Sequence, residues 1–118
     1  MYSWGDTITS EDANYNNTIA QTTDVGQYST NPWGFFDMHG NVWEWTSDWY
    51  ATYSSGLVTD PEGPASGSYR VARGGSWYGV GTNLRSAQRN NRTPGTRSSD
   101  IGFRVGFQAV QPLSLIHI

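Results

Sequence analysis

The chain predicts a loop-rich fold of short strands packed around aromatic side chains, and three observations carry that prediction. Six Trp, seven Tyr and four Phe stand against a charged share of only 14%, with 14 Gly and 5 Pro to turn the backbone. The stretch Met38-His39-Gly40-Asn41-Val42-Trp43-Glu44-Trp45-Thr46-Ser47-Asp48-Trp49-Tyr50 gathers three of the tryptophans with two carboxylates and a side-chain amide. Ile101 to Phe107 alternates so that Ile101, Phe103, Val105 and Phe107 share one face, the pattern of a half-buried strand. At 118 residues the chain is one small domain or a piece of a larger one. Aromatic rings, each burying a large area, supply what its 36% hydrophobic share lacks.

Taken in order, Trp4-Gly5-Asp6 pairs an aromatic cluster with a turn signal. Residues 10–31 are polar and aperiodic and are expected as a long ordered loop. Asn31-Pro32-Trp33-Gly34 is a turn. A strand over 42–50 places Trp43, Trp45, Ser47 and Trp49 on one face, and Val42, Glu44, Thr46, Asp48 and Tyr50 on the other. A short helix is the alternative, since i, i+4 spacing also brings Glu44 to Asp48. Residues 51–68 are loop, with Asp60-Pro61-Glu62-Gly63-Pro64 as breaker. Short strands are predicted over 69–72 and over 84–89, the latter carrying Arg85 and Arg89. Residues 90–100 are loop, and 101–107 a strand. The apolar run 112–118 does not match what precedes it and reads as adapter or vector sequence.

Charge is divided along the chain. Nine of the ten acidic residues lie at or before Glu62, and the seven basic residues, all arginines, begin at Arg70. An arginine-rich segment can bind nucleic acid. The net charge of −3 instead favours pairing of the two halves within one fold, and no nucleic acid partner is expected. With no cysteine there is no disulfide, thiolate metal site or cysteine nucleophile. No apolar run approaches the roughly 20 residues that span a bilayer. Glu44 and Asp48 could be an acid–base pair, but nothing marks a raised pKa. Ser76 lacks a histidine partner for nucleophilic catalysis.

Three motifs in order, Gly40-Asn41-Val42-Trp43-Glu44-Trp45, Arg73-Gly74-Gly75-Ser76-Trp77 and Ile101-Gly102-Phe103-Arg104-Val105, resemble the formylglycine-generating enzyme, or sulfatase-modifying factor, family. The resemblance covers residues 1–108, with 109–118 as a tail, and implies that the N-terminal part of the domain lies outside this chain. It implies an irregular α+β, C-type-lectin-like fold of short strands and long loops. It also implies a structural calcium site, with Asn41 giving its amide oxygen, Glu44 its carboxylate, and His39, Gly40 and Val42 their carbonyls. Calcium takes six to eight hard oxygens, and a glycine lets carbonyls turn inward. The residues alone leave the alternative that Glu44 pairs with an arginine and Asn41 caps a turn. A second family calcium site would begin at Asn14 and Tyr15, but its acidic partner segment has no counterpart here.

The founding chemistry of the family uses copper(I) on two cysteines, because a soft ion needs thiolates to hold it. Gly79 takes the first cysteine's place and the second has no counterpart, so no copper is expected. An iron-dependent branch needs a histidine triad, and this chain has only His39 and His117. Another branch comprises hypervariable ligand-binding proteins, whose binding segment corresponds to the Trp-, Arg- and Asn-rich residues 77–100. The expectation is a bacterial, calcium-stabilised recognition or accessory domain, possessing a ligand surface at Ser76, Trp77, Tyr78, Asn83, Arg85 and Arg89. Its partner would be a protein or small ligand, in a compartment the sequence does not fix. The alternative is an oxidoreductase whose metal ligands lie upstream in a longer chain.

Overall fold

The computed structural model describes residues 1–52 and 63–106. The Asp60-Pro61-Glu62 breaker, Phe107 and the tail lie outside the described residues. Among the described residues four strands form one mixed sheet in the order β3-β2-β1-β4. β1 is Trp43–Trp49, β2 Arg70–Arg73, β3 Arg89–Arg92 and β4 Ile101–Gly102, with one 3₁₀ turn at Gly81–Leu84. β1 pairs antiparallel with β2 and parallel with β4, and β2 pairs antiparallel with β3. The helical alternative for residues 42–50 is therefore set aside.

β1 does not keep its alternation throughout. Trp45 lies opposite Ala72 and Trp49 opposite Arg70, so the register shifts between them. β1 thus carries two more residues than β2 over this span, and such a bulge bends the strand and increases its twist. Trp43 is buried, whereas Trp45 and Trp49 are half-buried and Ser47 is exposed. Trp49 instead carries the Arg70 guanidinium 3.7 Å above its ring.

Two expected strands are corrected. Residues 84–89 are not a strand: Leu84 ends the 3₁₀ turn, and pairing begins only at Arg89. Leu84 is fully buried and packs with Tyr2 and Ala13. The strand that exists, Arg-Asn-Asn-Arg, has no apolar alternation to betray it, and its register against β2 holds it. β4 covers two residues, not seven. Beyond Gly102 the chain leaves β1 so that Arg104 can reach the carbonyls of Phe36 and Asp37, 2.9 Å from each. Phe103 and Val105 are then 76% and 75% exposed, so no single face of that run is buried.

The main apolar core lies away from the sheet. Tyr2, Ala13 and Leu84 form it, with Trp4, Ile8 and Tyr15 against them. The polar loop 10–31 is ordered through backbone bonds to later segments: Asn16 N–H to Gly79 O at 2.7 Å, Asn17 N–H to Trp77 O at 2.8 Å, and Asn41 N–H to Asn14 O at 2.9 Å. Two glycines make these close passages possible. Gly40, at φ +86°, lies so near Asn14 that an added Cβ would sit 2.5 Å from its carbonyl oxygen. Gly75, at φ +75°, meets Leu84 at the same distance.

Candidate functional site

A cleft of about 270 Å³ opens beside the start of β1. Gly40, Asn41, Val42 and Glu44 line it together, so the structure brings four of the five expected calcium ligands to one place. Asp37 and Arg104 line it as well, with Val25, Phe36 and Phe103 at its apolar margin. His39 does not join them through its ring, which is buried in contact with Leu84 O and Ser3.

The polar side chains lining the cleft, Asp37, Asn41, Glu44 and Arg104, each have a present partner. Arg104 grips the Glu44 carboxylate with two N–H groups, Nε to Oε1 and Nη2 to Oε2 at 2.8 Å. That paired geometry pushes the Arg104 guanidinium pKa further above its ordinary value. Asn41, at φ +67°, accepts Thr23 N–H at 3.0 Å on Oδ1 and donates to Thr23 O at 3.3 Å. The arginine half of the alternative reading is thus realised for Glu44, whereas the Asn41 side chain caps no local turn and instead reaches Thr23, 18 residues away. Which arginine holds Glu44 was not legible, because 60 residues separate them. Asp37 gave no sequence signal, and it enters through the turn in which it sits at φ +55°.

The donors suit a hard cation in kind. They are carboxylate, amide and carbonyl oxygens, and no thiolate or imidazole competes. Beside Asn41, two oxygens, Asn14 Oδ1 and Thr23 Oγ1, are buried without a hydrogen-bond partner. Such orphan acceptors are rare in a folded interior and suit a cation or a bound water. Among the described residues no three His, Cys, Asp or Glu side chains cluster as a metal site, so a cation here would draw on carbonyls and amides.

The expected recognition residues divide. Ser76 is 1% exposed, its Oγ accepting from Tyr78 N–H, and so belongs to the interior. Trp77 is half-buried and donates its indole N–H to Ser99 O at 3.1 Å. Tyr78, 67% exposed, stands edge-on to Trp77 with ring centroids 5.8 Å apart. Asn83 lies in the 3₁₀ turn, under the Gly79 backbone. Arg85 donates to Thr82 O and to Gln88 Oε1. Arg89 stands 4.6 Å over the Tyr50 ring and donates to Ala51 O. Tyr78, Asn83 and Arg85 follow one another on one loop, whereas Arg89 is drawn toward β1.

Among the described residues Glu44–Arg104 is the one side-chain ion pair that joins the acidic and basic halves of the chain, and Arg92–Asp100 lies within the basic half.

A small mixed sheet with long loops pinned by backbone bonds and glycine turns defines an irregular α+β domain. The sulfatase-modifying factor enzyme 1-like domain matches residues 1–109, and the chain belongs to that family. It is similar to the serine/threonine-protein kinase pkn1 of Chlamydia pneumoniae, 43% identical over 107 residues, covering 87% of this chain and 17% of that protein. It is similar to the formylglycine-generating enzyme of Streptomyces coelicolor, 40% identical over 88 residues, covering 70% and 28%. The solved structure of Treponema denticola variable protein 1 superposes with a TM-score of 0.77 at 39% identity, over 87% of this chain and 40% of that one. The chain thus spans well under half of each of these three proteins.

Proposed function

We propose that this domain is a recognition or accessory module and that its binding surface is the loop carrying Trp77, Tyr78, Asn83 and Arg85. One observation carries the reading. Tyr78 is presented to solvent on a segment locked by main-chain bonds on both sides, with Trp77 N–H on Asn41 O and Trp77 O under Asn17 N–H, each at 2.8 Å. A rigid aromatic held out by a pre-formed frame loses little entropy on binding, which is the physics of a recognition loop. Gly79 stands where the copper-binding cysteine of the resembled enzymes would stand, and the chain has no cysteine, so the copper oxidase chemistry has no ligands here. The kinase-named relative supports an accessory role, since the matched part is a 17% share of that chain.

A peptide-display selection on the parent protein tests this. The expected outcome is a consensus that Tyr78→Ala no longer selects, with its melting curve unchanged, and that Trp77→Ala, tested well below its own melting temperature, also loses. No consensus, or one indifferent to both substitutions, overturns the reading. Metal-dependent oxygen consumption by the parent protein, with ligands supplied from outside this chain, would favour the oxidoreductase alternative instead.

We further propose calcium as a structural ligand of the cleft, held by Glu44, Asn41 and the carbonyls of His39, Gly40 and Val42. The hard-oxygen donor set of the cleft lining supports it. When bound, the ion would stabilise the start of β1 and the loops packed on it. Because Arg104 already grips Glu44, the ion would share that carboxylate with the guanidinium.

A further inference from the structure

Two arginines of this chain are oriented by neutral oxygens. Arg73, at the end of β2, donates from Nη1 to two carbonyls, Ser86 O at 3.1 Å and Gln88 O at 3.2 Å. Arg85 donates from Nε to Thr82 O at 2.8 Å and from Nη2 to Gln88 Oε1 at 3.0 Å. Gln88 therefore moors both guanidiniums, one on its main-chain oxygen and one on its side-chain oxygen. Its own Nε2 donates to Arg89 O at 3.2 Å, which fixes its orientation.

A guanidinium carries five N–H donors in a rigid fork. Neutral carbonyls orient these two forks without cancelling their charge. Among the described residues neither has a carboxylate within ion-pair distance. The carboxylate opposite Arg73 in strand register is Glu44, and Arg104 holds it. What remains on Arg73 is its Nε and Nη2 edge, the edge that pairs with a carboxylate through two parallel bonds. What remains on Arg85 is Nη1. Both side chains are half-exposed, so a partner can reach them.

We propose that Arg73 and Arg85 form a carboxylate clamp that docks an acidic segment of a partner protein at the end of the Tyr78 loop. The clamp rests on the recognition reading above and names its partner's chemistry. Pre-orientation by carbonyls means that little side-chain entropy is lost when the carboxylates arrive. A nucleic acid fits less well. A chain of net charge −3 with exposed acidic residues at Asp6, Glu11, Asp24 and Asp48 repels a long polyanion more than a short acidic segment, which needs only the Arg73 fork and the Arg85 Nη1.

Fluorescence anisotropy with the parent protein tests the clamp, using a labelled short Asp/Glu-rich peptide, a neutral peptide of equal length and a single-stranded oligonucleotide of equal length. The expected result is binding of the acidic peptide alone, weakened by salt, and weakened by about tenfold or more in an Arg73→Gln/Arg85→Gln variant that still melts cooperatively. Arg73→Lys keeps the charge but loses the fork and should give an intermediate affinity. No binding of the acidic peptide, equal binding by the double variant, or tighter binding of the oligonucleotide each overturns the proposal. If the double variant unfolds, Arg85→Gln alone decides, and unchanged affinity refutes the clamp. Recovery of a Tyr78-dependent consensus without carboxylates in the display selection leaves the recognition reading standing while this clamp falls.

Discussion

His39 joins three segments through one ring. Its Nδ1 lies 2.5 Å from Leu84 O, which can only accept, so the hydrogen sits on Nδ1. Nε2 is then the acceptor for Ser3 N–H at 3.1 Å. Trp4 packs against the ring with centroids 4.9 Å apart, and Tyr2 at 5.6 Å. Burial holds the His39 pKa below its ordinary value, with the Leu84 carbonyl opposing that shift. The sign follows from linkage. The unfolded chain binds the proton more readily, so the stabilisation is full above the unfolded value of about 6.5 and is lost as pH falls from there through the folded value. Protonation also sets a second N–H against Ser3 N–H. Melting temperatures between neutral and mildly acidic pH should fall with pH, and His39→Gln should remove that slope. A slope that survives the substitution would mean that another group carries it. The sequence showed His39 as a lone histidine without a second to join it, and the ring's role in tying Ser3 to Leu84 was invisible because those residues are 36 and 45 positions away.

At the scale of elements, glycine turns hold the loops on the sheet. Gly40→Ala must push a Cβ into the backbone oxygen of Asn14 while keeping φ at +86°. The expected cost is about 2 kcal/mol or more in chemical denaturation, from strain and from overpacking together. Gly95→Ala is the control. It meets nothing within 4 Å and should change stability by no more than about 1 kcal/mol. Equal effects at the two sites would show that the Asn14 passage is not rigid. β1 was legible because its tryptophans and β-branched neighbours favour a pleated, half-buried surface. Its register shift was not, since no single residue between Trp45 and Trp49 marks one. The 101–107 alternation reported which way side chains point but not whether a neighbour was there to pair. Only Ile101 and Gly102 have β1 beside them. β3 was hidden for the opposite reason, as Arg89–Arg92 is polar throughout and only its partner strand makes it a strand.

Across the whole molecule, the cleft is where local pairing and a possible ion meet, and the two can be separated. Glu44 is gripped by Arg104, whose guanidinium also holds the carbonyls of Phe36 and Asp37, so this arginine ties the end of β4 to the turn before β1. Arg104→Gln should therefore cost about 1–3 kcal/mol whether or not calcium binds, because charge-assisted bonds are lost and carbonyls are left unpaired. Calcium adds a different signature. A ligand that binds only the folded state stabilises by about 2.7 kcal/mol at a hundred times its dissociation constant. The parent protein should accordingly melt lower after chelation and recover when calcium, but not magnesium at the same concentration, is returned, since magnesium demands a tighter octahedron than carbonyls on loops provide. Glu44→Gln should abolish both the arginine grip and the calcium response. Arg104→Gln should abolish the grip and leave the response, because it removes a competitor for the carboxylate and no oxygen ligand. A melting temperature indifferent to chelation in the unsubstituted protein would leave Glu44 as an arginine partner alone. The motif that names the family would then be holding its loops by the guanidinium of Arg104, with the orphan oxygens of Asn14 and Thr23 filled by water.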